Sequence, residues 1–192
     1  VTLLDSVRRA VAVASAGGHV GVLVGGLAVS ARAEPRFTRD ADLVIALDTD
    51  VEAEAVVRAF LLQGYQLRAL LEQSSVGRIS GARLIDPDGV DVDLLTASSG
   101  IEAEIVAAAD ELEIVGGLRV HVAATGHLIA LKLLSVAPGR ETDTVDLRAL
   151  ARVADDDEWG RAASAVALII ERGFHRGRDL SADLAALRAE HI

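Results

Sequence analysis

The spacing of apolar residues divides the first part of the chain into alternating segments. Stretches with apolar residues three or four positions apart are typical of helices, and short apolar stretches between them are typical of strands. The predicted helices are residues 2–16, 51–63 and 101–109. The predicted strands are residues 19–24, 42–47, 78–85, 90–96, 111–115 and 118–123. This order predicts a sheet flanked by helices.

Two turn sequences indicate how the later strands are connected. Residues 86–89 read Asp-Pro-Asp-Gly. Proline presets the first turn angle and glycine accepts positive φ, so this turn predicts a hairpin between the strands on either side. Gly116-Gly117 predicts a second hairpin between the last two strands.

From Thr125 onward the pattern changes to helices only. The predicted helices are residues 125–135, 141–153, 155–172 and 181–191. We therefore predict an α/β (α+β) fold with a mixed sheet of parallel and antiparallel strands in residues 1–124 and a helical C-terminal portion in residues 125–192.

Composition supports a soluble globular protein, since hydrophobic residues make up 51% of the chain and charged residues 25%. Cysteine is absent, which excludes disulfides and thiolate metal sites and favours a cytoplasmic location. Residues 10–31 carry no charge, but glycine pairs at 17–18 and 25–26 divide this stretch, so we predict no membrane segment.

The formal net charge is −10, and most of the acidic excess lies in residues 1–118. A nucleic-acid partner would therefore need a local basic patch. Arg172, His175, Arg176 and Arg178 are the compact basic group of the C-terminal part. They could hold RNA or an acidic protein surface, although a solvated helix end is the interpretation that three arginines favour.

Acidic residues at the entrance of an apolar strand give the sharpest chemical signal. Asp40 and Asp42 are two positions apart, so on a strand their carboxylates lie on the same face. Two carboxylates at the entrance of an apolar strand destabilise the fold unless a cation lies between them. Mg²⁺ suits this place because it prefers oxygen ligands. By itself, the pair could also be a solvated strand end, and Gly25-Gly26 before it could be a simple tight turn.

A second acidic pair strengthens the metal hypothesis. Asp91 and Asp93 lie on one face of a later strand, which can pair with the strand that carries Asp42. The alternative is an edge strand with an acidic solvent face. The glycines offer backbone amides to an anion, and a helix that begins just after them directs its positive end at the same place.

These features together resemble the nucleotidyltransferases of the DNA polymerase beta superfamily. The narrower resemblance is to the AbiEii-type toxins of type IV toxin–antitoxin systems, which share the patterns Arg36-x-Thr38-x-Asp40-x-Asp42-Leu43, Val92-Asp93-Leu94-Leu95, the helix around His127 and Lys132, and Arg140-x-x-Asp143-x-x-Asp146-Leu147. The resemblance covers residues 25–150, about two thirds of the chain.

The resemblance implies a role for each of these positions. Asp40, Asp42 and Asp93 would be the catalytic residues and hold two Mg²⁺ ions, and Asp93 would help to deprotonate the attacking hydroxyl. The nucleoside triphosphate, which is the second substrate, would be bound by Gly25, Gly26, Arg36, Thr38 and Lys132, with Asp146 near the site. The implied acceptor is an RNA 3′ end such as that of tRNA, and the implied partner is a cognate antitoxin protein.

The sequence departs from the family pattern at three places. Gly26 replaces a more usual Ser, Ala41 replaces Ile, and Gly126-His127 stands where a Glu-bearing segment is common. Lys132 has support from composition, because it is the single Lys among 19 basic residues and provides a compact charge suited to phosphate. A solvent-facing helix residue without a role is the alternative.

Two other functions remain open at this point. The acceptor could be a small molecule such as an aminoglycoside, since a cationic antibiotic suits an acidic surface. Alternatively, the chain could be a non-catalytic relative that binds a nucleotide or a protein partner.

Overall fold

The computed structural model describes residues 2–73, 77–114, 117–137, 139 and 141–191. Within these ranges, a mixed sheet of seven strands is flanked by eight helices, which confirms the predicted fold class. The helices are α1 (Leu3–Ala16), α2 (Gly25–Arg32), α3 (Asp50–Leu62), α4 (Glu102–Ala107), α5 (Thr125–Ser135), α6 (Glu141–Val153), α7 (Asp156–Glu171) and α8 (Leu180–Ala189). The strands are β1 (Val22–Val24), β2 (Asp40–Val44), β3 (Gln66–Gln73), β4 (Arg78–Ile85), β5 (Asp91–Leu95), β6 (Asp110–Ile114) and β7 (Leu118–Val122).

The strand order across the sheet is β3-β4-β5-β2-β1-β7-β6. The β2–β5 and β1–β7 pairs are parallel and the remaining pairs are antiparallel. Both predicted hairpins form, as β4–β5 and β6–β7, although Gly116 of the second turn lies outside the described residues. The parallel pairing of β2 with β5 brings the two acidic segments side by side.

Local sequence accounts for the helix starts. Thr2 and Asp5 form a capping box at α1, and Thr49 and Glu52 form one at α3, each satisfying exposed backbone amides. Asp155 caps α7 and accepts from the amide of Glu158 at 2.9 Å. The acidic run that opens α7 is thus a helix start, as its sequence indicates.

Two elements differ from the sequence prediction. Strand β3 was not predicted, because its sequence Gln-Leu-Arg-Ala-Leu-Leu-Glu-Gln is rich in residues that favour helices. It forms at the edge of the sheet, where antiparallel pairing with β4 overrides local preference. In addition, α2 begins at Gly25 itself, so the glycine pair forms the first turn of the helix rather than a separate turn before it.

One hydrophobic core extends across the described residues, from α1 and the central strands to α8. It is built mainly from Ala, Val, Leu and Ile and is continuous on both sides of Thr125. The change from strands to helices falls at that residue, but the division into 1–124 and 125–192 as separate portions stays a prediction. No helix in the described ranges is long and apolar enough to cross a membrane.

Candidate active site

Four residues lie in register across four neighbouring strands. Arg83 on β4 is paired with Asp93 on β5, Asp93 with Asp42 on β2, and Asp42 with Val24 on β1. Directly opposite residues share a face of the sheet, so the side chains of Asp42 and Asp93 are neighbours. We call these four residues the transverse row. One end of the row is next to Gly25, where β1 gives way to α2.

The transverse row crosses the floor of a cleft of about 620 Å³. Eight of the nine residues that the sequence singled out line this cleft: Gly25, Gly26, Arg36, Thr38, Asp40, Asp42, Asp93 and Lys132. Asp146 contacts Arg36 and Lys132 from behind. The structure therefore brings the predicted site residues together. Arg140, part of the predicted Arg140-to-Asp146 pattern, lies outside the described residues.

Gly25 and Gly26 are both packed closely against neighbouring side chains. Gly25 has φ +61°, and a Cβ there would lie 1.8 Å from Oδ2 of Asp42. A Cβ on Gly26 would lie 2.6 Å from Nη2 of Arg36 and 2.8 Å from Oγ1 of Thr38. We call Gly25 and Gly26 the glycine corner. The replacement of Ser by Gly at position 26 leaves space that the side chains of Arg36 and Thr38 occupy.

Ser30 holds the segment that carries Arg36 against α2. Its hydroxyl lies 3.0 Å from the carbonyl of Gly26 and 3.3 Å from that of Arg36, and it accepts from the Arg36 amide at 3.2 Å. Sequence reasoning missed Ser30, because a serine inside an eight-residue helix carries no signal of a distant partner. Only the return of the chain over α2 reveals this contact.

The N-terminus of α2 opens into the cleft. Val24 precedes the helix, and no side chain caps its first amides. The glycine corner lines the cleft at this point. Amides at a helix start attract an anion, and glycine lets the anion approach closely.

Electrostatics at the floor of the cleft favour a bound cation. The pKa of Asp42 is raised to about 7, first by burial and then by the charges of Asp40 and Asp93, while Lys132 and Arg36 lower it. Burial also raises the pKa of Asp93, against the opposing charge of Arg83. Carboxylates that raise one another's pKa are relieved by a shared cation.

Lys132 lies in a nearly buried ionic cluster beside the acids. Its Nζ is 2.7 Å from Oδ1 of Asp143 and 2.7 Å from Oδ2 of Asp146. Asp146, with a side chain only 1% exposed, also pairs with Arg36 at 2.6 Å. The cluster joins α5 and α6 to the segment before β2. Lys132 is therefore not the solvent-facing residue that was the alternative.

The three carboxylates at the floor of the cleft are suitable ligands for a hard divalent cation, but their side chains are not arranged to coordinate one. Asp40, Asp42 and Asp93 offer only oxygen atoms, which Mg²⁺ prefers. Among the described residues, however, no group of three His, Cys, Asp or Glu side chains stands in a metal-holding arrangement. Thr38 donates to Asp40 at 2.5 Å, and Nε of Arg83 is 3.7 Å from Asp93. Metal binding therefore stays a prediction that requires these carboxylates to turn.

Comparison with solved structures identifies the fold. The crystal structure of ANT(2")-Ia in complex with adenylyl-2"-tobramycin superposes with a TM-score of 0.56 over 100% of both chains, at 14% sequence identity. The lincosamide antibiotic adenylyltransferase LnuA, with lincomycin bound, gives a TM-score of 0.54 at 14% identity, over 80% of this chain and 99% of its own. An antigenic nucleotidyltransferase-like protein from Paracoccidioides brasiliensis gives 0.50 at 20% identity, over 95% and 92%.

This chain has the nucleotidyltransferase fold. No family model matches the sequence, and no curated protein matches it either. The superfamily resemblance seen in the sequence thus agrees with the fold, while the narrower likeness to AbiEii-type toxins stays a prediction.

The structure also adds two residues that sequence reasoning did not place in the site. Arg83 and Arg176 both line the cleft. The signal for Arg83 is its register with Asp93, which requires knowledge of the β4–β5 pairing. Arg176 belongs to the basic group for which the sequence left RNA binding and a solvated helix end open. It is exposed, and its Nη2 donates to the carbonyl of Ser98 at 3.2 Å.

Proposed function

We propose that this protein is a magnesium-dependent nucleotidyltransferase that moves a nucleoside monophosphate from a nucleoside triphosphate to an acceptor hydroxyl. The observation that carries the proposal is the register of Asp42 with Asp93 beside the open N-terminus of α2. Two carboxylates on one face of a sheet, next to amides that suit phosphate, match the needs of a metal-bound triphosphate.

In this proposal the triphosphate lies at the glycine corner. The first amides of α2 receive phosphate oxygens, and Arg36 and Lys132 add positive charge from the cleft wall. Asp146 keeps both cations in place through its two short ion pairs. Asp40, Asp42 and Asp93 would hold two Mg²⁺ ions, and the bound ions would offset the phosphate charge.

The acceptor approaches from the Asp93 side of the transverse row. Its hydroxyl oxygen forms a bond to the α-phosphorus, the bond from that phosphorus to the bridging oxygen breaks, and pyrophosphate leaves. Asp93 receives the hydroxyl proton, since it stands at the end of the acidic pair away from the glycine corner.

The acceptor and its setting belong to the proposal as well. The resemblance to AbiEii-type toxins supports an RNA 3′ end, such as that of tRNA, and a cognate antitoxin as partner. Absence of Cys supports action in the cytoplasm. A small-molecule acceptor is the second candidate, because two similar folds carry antibiotics in their structures and the net charge of −10 suits a cationic drug.

One experiment tests the chemistry and the acceptor together. Purified protein is incubated with Mg²⁺ and each α-labelled triphosphate, first with total RNA and then with a panel of aminoglycosides. We expect label in one of the two pools, and none when Asp40→Asn or Asp42→Asn replaces the wild type. Incorporation that survives both substitutions would refute the mechanism. Magnesium-dependent triphosphate binding without transfer would instead indicate a non-catalytic relative.

A further inference from the structure

A second group of residues that line the cleft has its own chemistry. It is formed by β4, the segment after β5, and the connection between α7 and α8, through the residues Ser80, Arg83, Ser98, Ser99 and Arg176. We call these residues the far wall. Hydrogen bonds join its parts, since the amide of Thr96 donates to the carbonyl of Ser80 at 3.0 Å and Arg176 donates to that of Ser98.

Arg83 ends the transverse row on this side. The sheet order places β4 beyond β5, so Arg83 and the glycine corner are on opposite sides of Asp42 and Asp93. Its side chain is 59% exposed and its Nε is 3.7 Å from Asp93. A guanidinium at this place is available to a group that enters next to Asp93.

Arg176 is held in an unusual backbone conformation. Its φ of +55° is the single positive value among the described non-glycine residues. Such conformations are costly and persist only where neighbouring contacts enforce them, most often at functional sites. The structure supplies those contacts: Phe174 is buried against Gly100, and Arg178 donates to the carbonyls of Leu133 and Val136 at 2.6 and 2.7 Å.

The serines of the far wall are also fixed. The carboxylate of Glu102, which is 6% exposed, accepts from the amides of Ser98 and Ser99 at 2.8 Å each. The far wall therefore contributes two guanidinium groups to the cleft, while the hydroxyls of Ser98 and Ser99 donate to Glu102 at 3.2 and 2.8 Å. Asp93 is the acidic neighbour along the row. Guanidinium groups bind phosphate with good geometry and repel cations.

We infer that Arg83 and Arg176 form an acceptor subsite that binds a phosphate group close to the hydroxyl that receives the nucleotide. This inference rests on the proposed function, because it assigns the far wall to the acceptor. The phosphate can belong to a polynucleotide end or to a small phosphorylated metabolite. A polycationic acceptor such as tobramycin is disfavoured at this subsite, since Arg83 and Arg176 would repel it.

The test uses two variants and one matched control. Arg83→Gln removes one cation, and Arg176→Gly removes the other while accepting the positive φ. Arg119→Gln is the control, because Arg119 is also a strand arginine, is 57% exposed, and pairs with a carboxylate on the next strand at 3.2 Å, but does not line the cleft. The probes are an oligoribonucleotide with a free 3′ hydroxyl, ribose 5-phosphate and tobramycin.

Equilibrium binding is measured by calorimetry and transfer is measured with labelled triphosphate. We expect the wild type to bind one phosphorylated probe, and each subsite variant to weaken that binding and to raise the acceptor KM about tenfold. The triphosphate KM should change less than about twofold. The Arg119→Gln variant should match the wild type. Preference for the oligoribonucleotide or for ribose 5-phosphate distinguishes the two phosphate sources.

Failure of the inference and failure of the proposed function have different signatures. Transfer to tobramycin with no binding of either phosphorylated probe overturns the subsite while the transferase activity stands. A rise in the triphosphate KM instead of the acceptor KM overturns it too, because the arginines would then serve the nucleotide. If the wild type transfers nothing but still binds a phosphorylated probe through Arg83 and Arg176, the subsite stands and the proposed activity fails.

Discussion

The two ends of the transverse row are built in opposite ways. At the glycine corner, a single added carbon would collide with Asp42, Arg36 or Thr38, and the nearby ion pair between Arg36 and Asp146 is almost buried. At the far wall, Arg83 is more than half exposed and its partner is 3.7 Å away. Close packing fixes geometry, whereas exposed side chains adapt. In the proposed reaction, the tightly packed glycine corner binds the triphosphate, which all nucleotide substrates share. The more open far wall determines which acceptor is used.

The largest expected effect comes from Asp42→Asn, at the centre of the row. In the proposed mechanism Asp42 holds metal, so its loss should reduce transfer by about a thousandfold, since such ligands provide several kcal/mol of transition-state stabilisation. The melting temperature should stay the same or rise, because Asn removes a charge whose pKa is raised by burial.

A thermal-shift series separates this role from a folding defect. Mg²⁺ with a triphosphate should raise the melting temperature of the wild type and not that of Asp42→Asn. Asp157→Asn, at an exposed position in the first turn of α7, should behave like the wild type in both assays. An equal magnesium shift in the wild type and in Asp42→Asn would remove Asp42 from the metal site.

Replacing Asp146 by Asn tests how much the tightly packed end depends on its ionic cluster. Asp146 pairs with both Lys132 and Arg36, so the variant leaves two nearly buried cations with fewer partners. We expect unfolding in urea to require about 3 kcal/mol less free energy. Asp110→Asn breaks the ion pair between Asp110 and Arg32. Because the side chain of Asp110 is 61% exposed, this change should lower the free energy of unfolding by less than about 1 kcal/mol. Equal losses in both variants would contradict the role of the cluster.

Gly25→Ala tests the close packing of the corner directly. The positive φ and the collision with Asp42 should lower the free energy of unfolding by about 2 kcal/mol. Gly160→Ala is the control, since nothing lies within 4 Å of its Cβ position in α7, and it should stabilise the protein by about 0.5–1 kcal/mol. A Gly25→Ala protein as stable as the wild type would show that the corner can widen.

The smallest expected effect concerns His127 on α5, the helix that also carries Lys132. The pKa of His127 on α5 is lowered to about 4, first by burial and then by the charge of Arg161, while Glu158 and Glu104 raise it. Since the unfolded chain binds this proton near pH 6.5 and the folded chain does not, stability should fall as the pH drops from about 7 towards 4.

The measurement compares pH dependence rather than absolute stability. Between pH 7 and pH 5, this histidine should account for a loss of about 1–2 kcal/mol in the free energy of unfolding. His127→Gln lacks the titrating group, so its urea midpoint should fall less over the same interval. Identical pH dependence in the two proteins would mean that His127 is not kept neutral by the fold.

The sequence was informative where the signal is local. The spacing of apolar residues, the Asp-Pro-Asp-Gly turn and the spacing of Asp40 and Asp42 act over a few residues, and these patterns predicted most helices and strands. Strand β3 was not predicted, because its residues favour a helix and form a strand only through pairing with β4. The role of Ser30 was not predicted either, because its partner Arg36 lies in the segment that returns over α2 after the helix ends.

The sequence alone determined which side chains are available: acids on two strands, a glycine pair and one lysine. Their alternation on strands also determined which acids share a face. Only the tertiary structure decided that Asp42 meets Asp93 in a parallel pair, that Lys132 and Arg36 share Asp146, and that Arg83 and Arg176 reach the cleft. The reason is physical, because strand register and helix packing follow from burial of the whole core and not from neighbours in the chain.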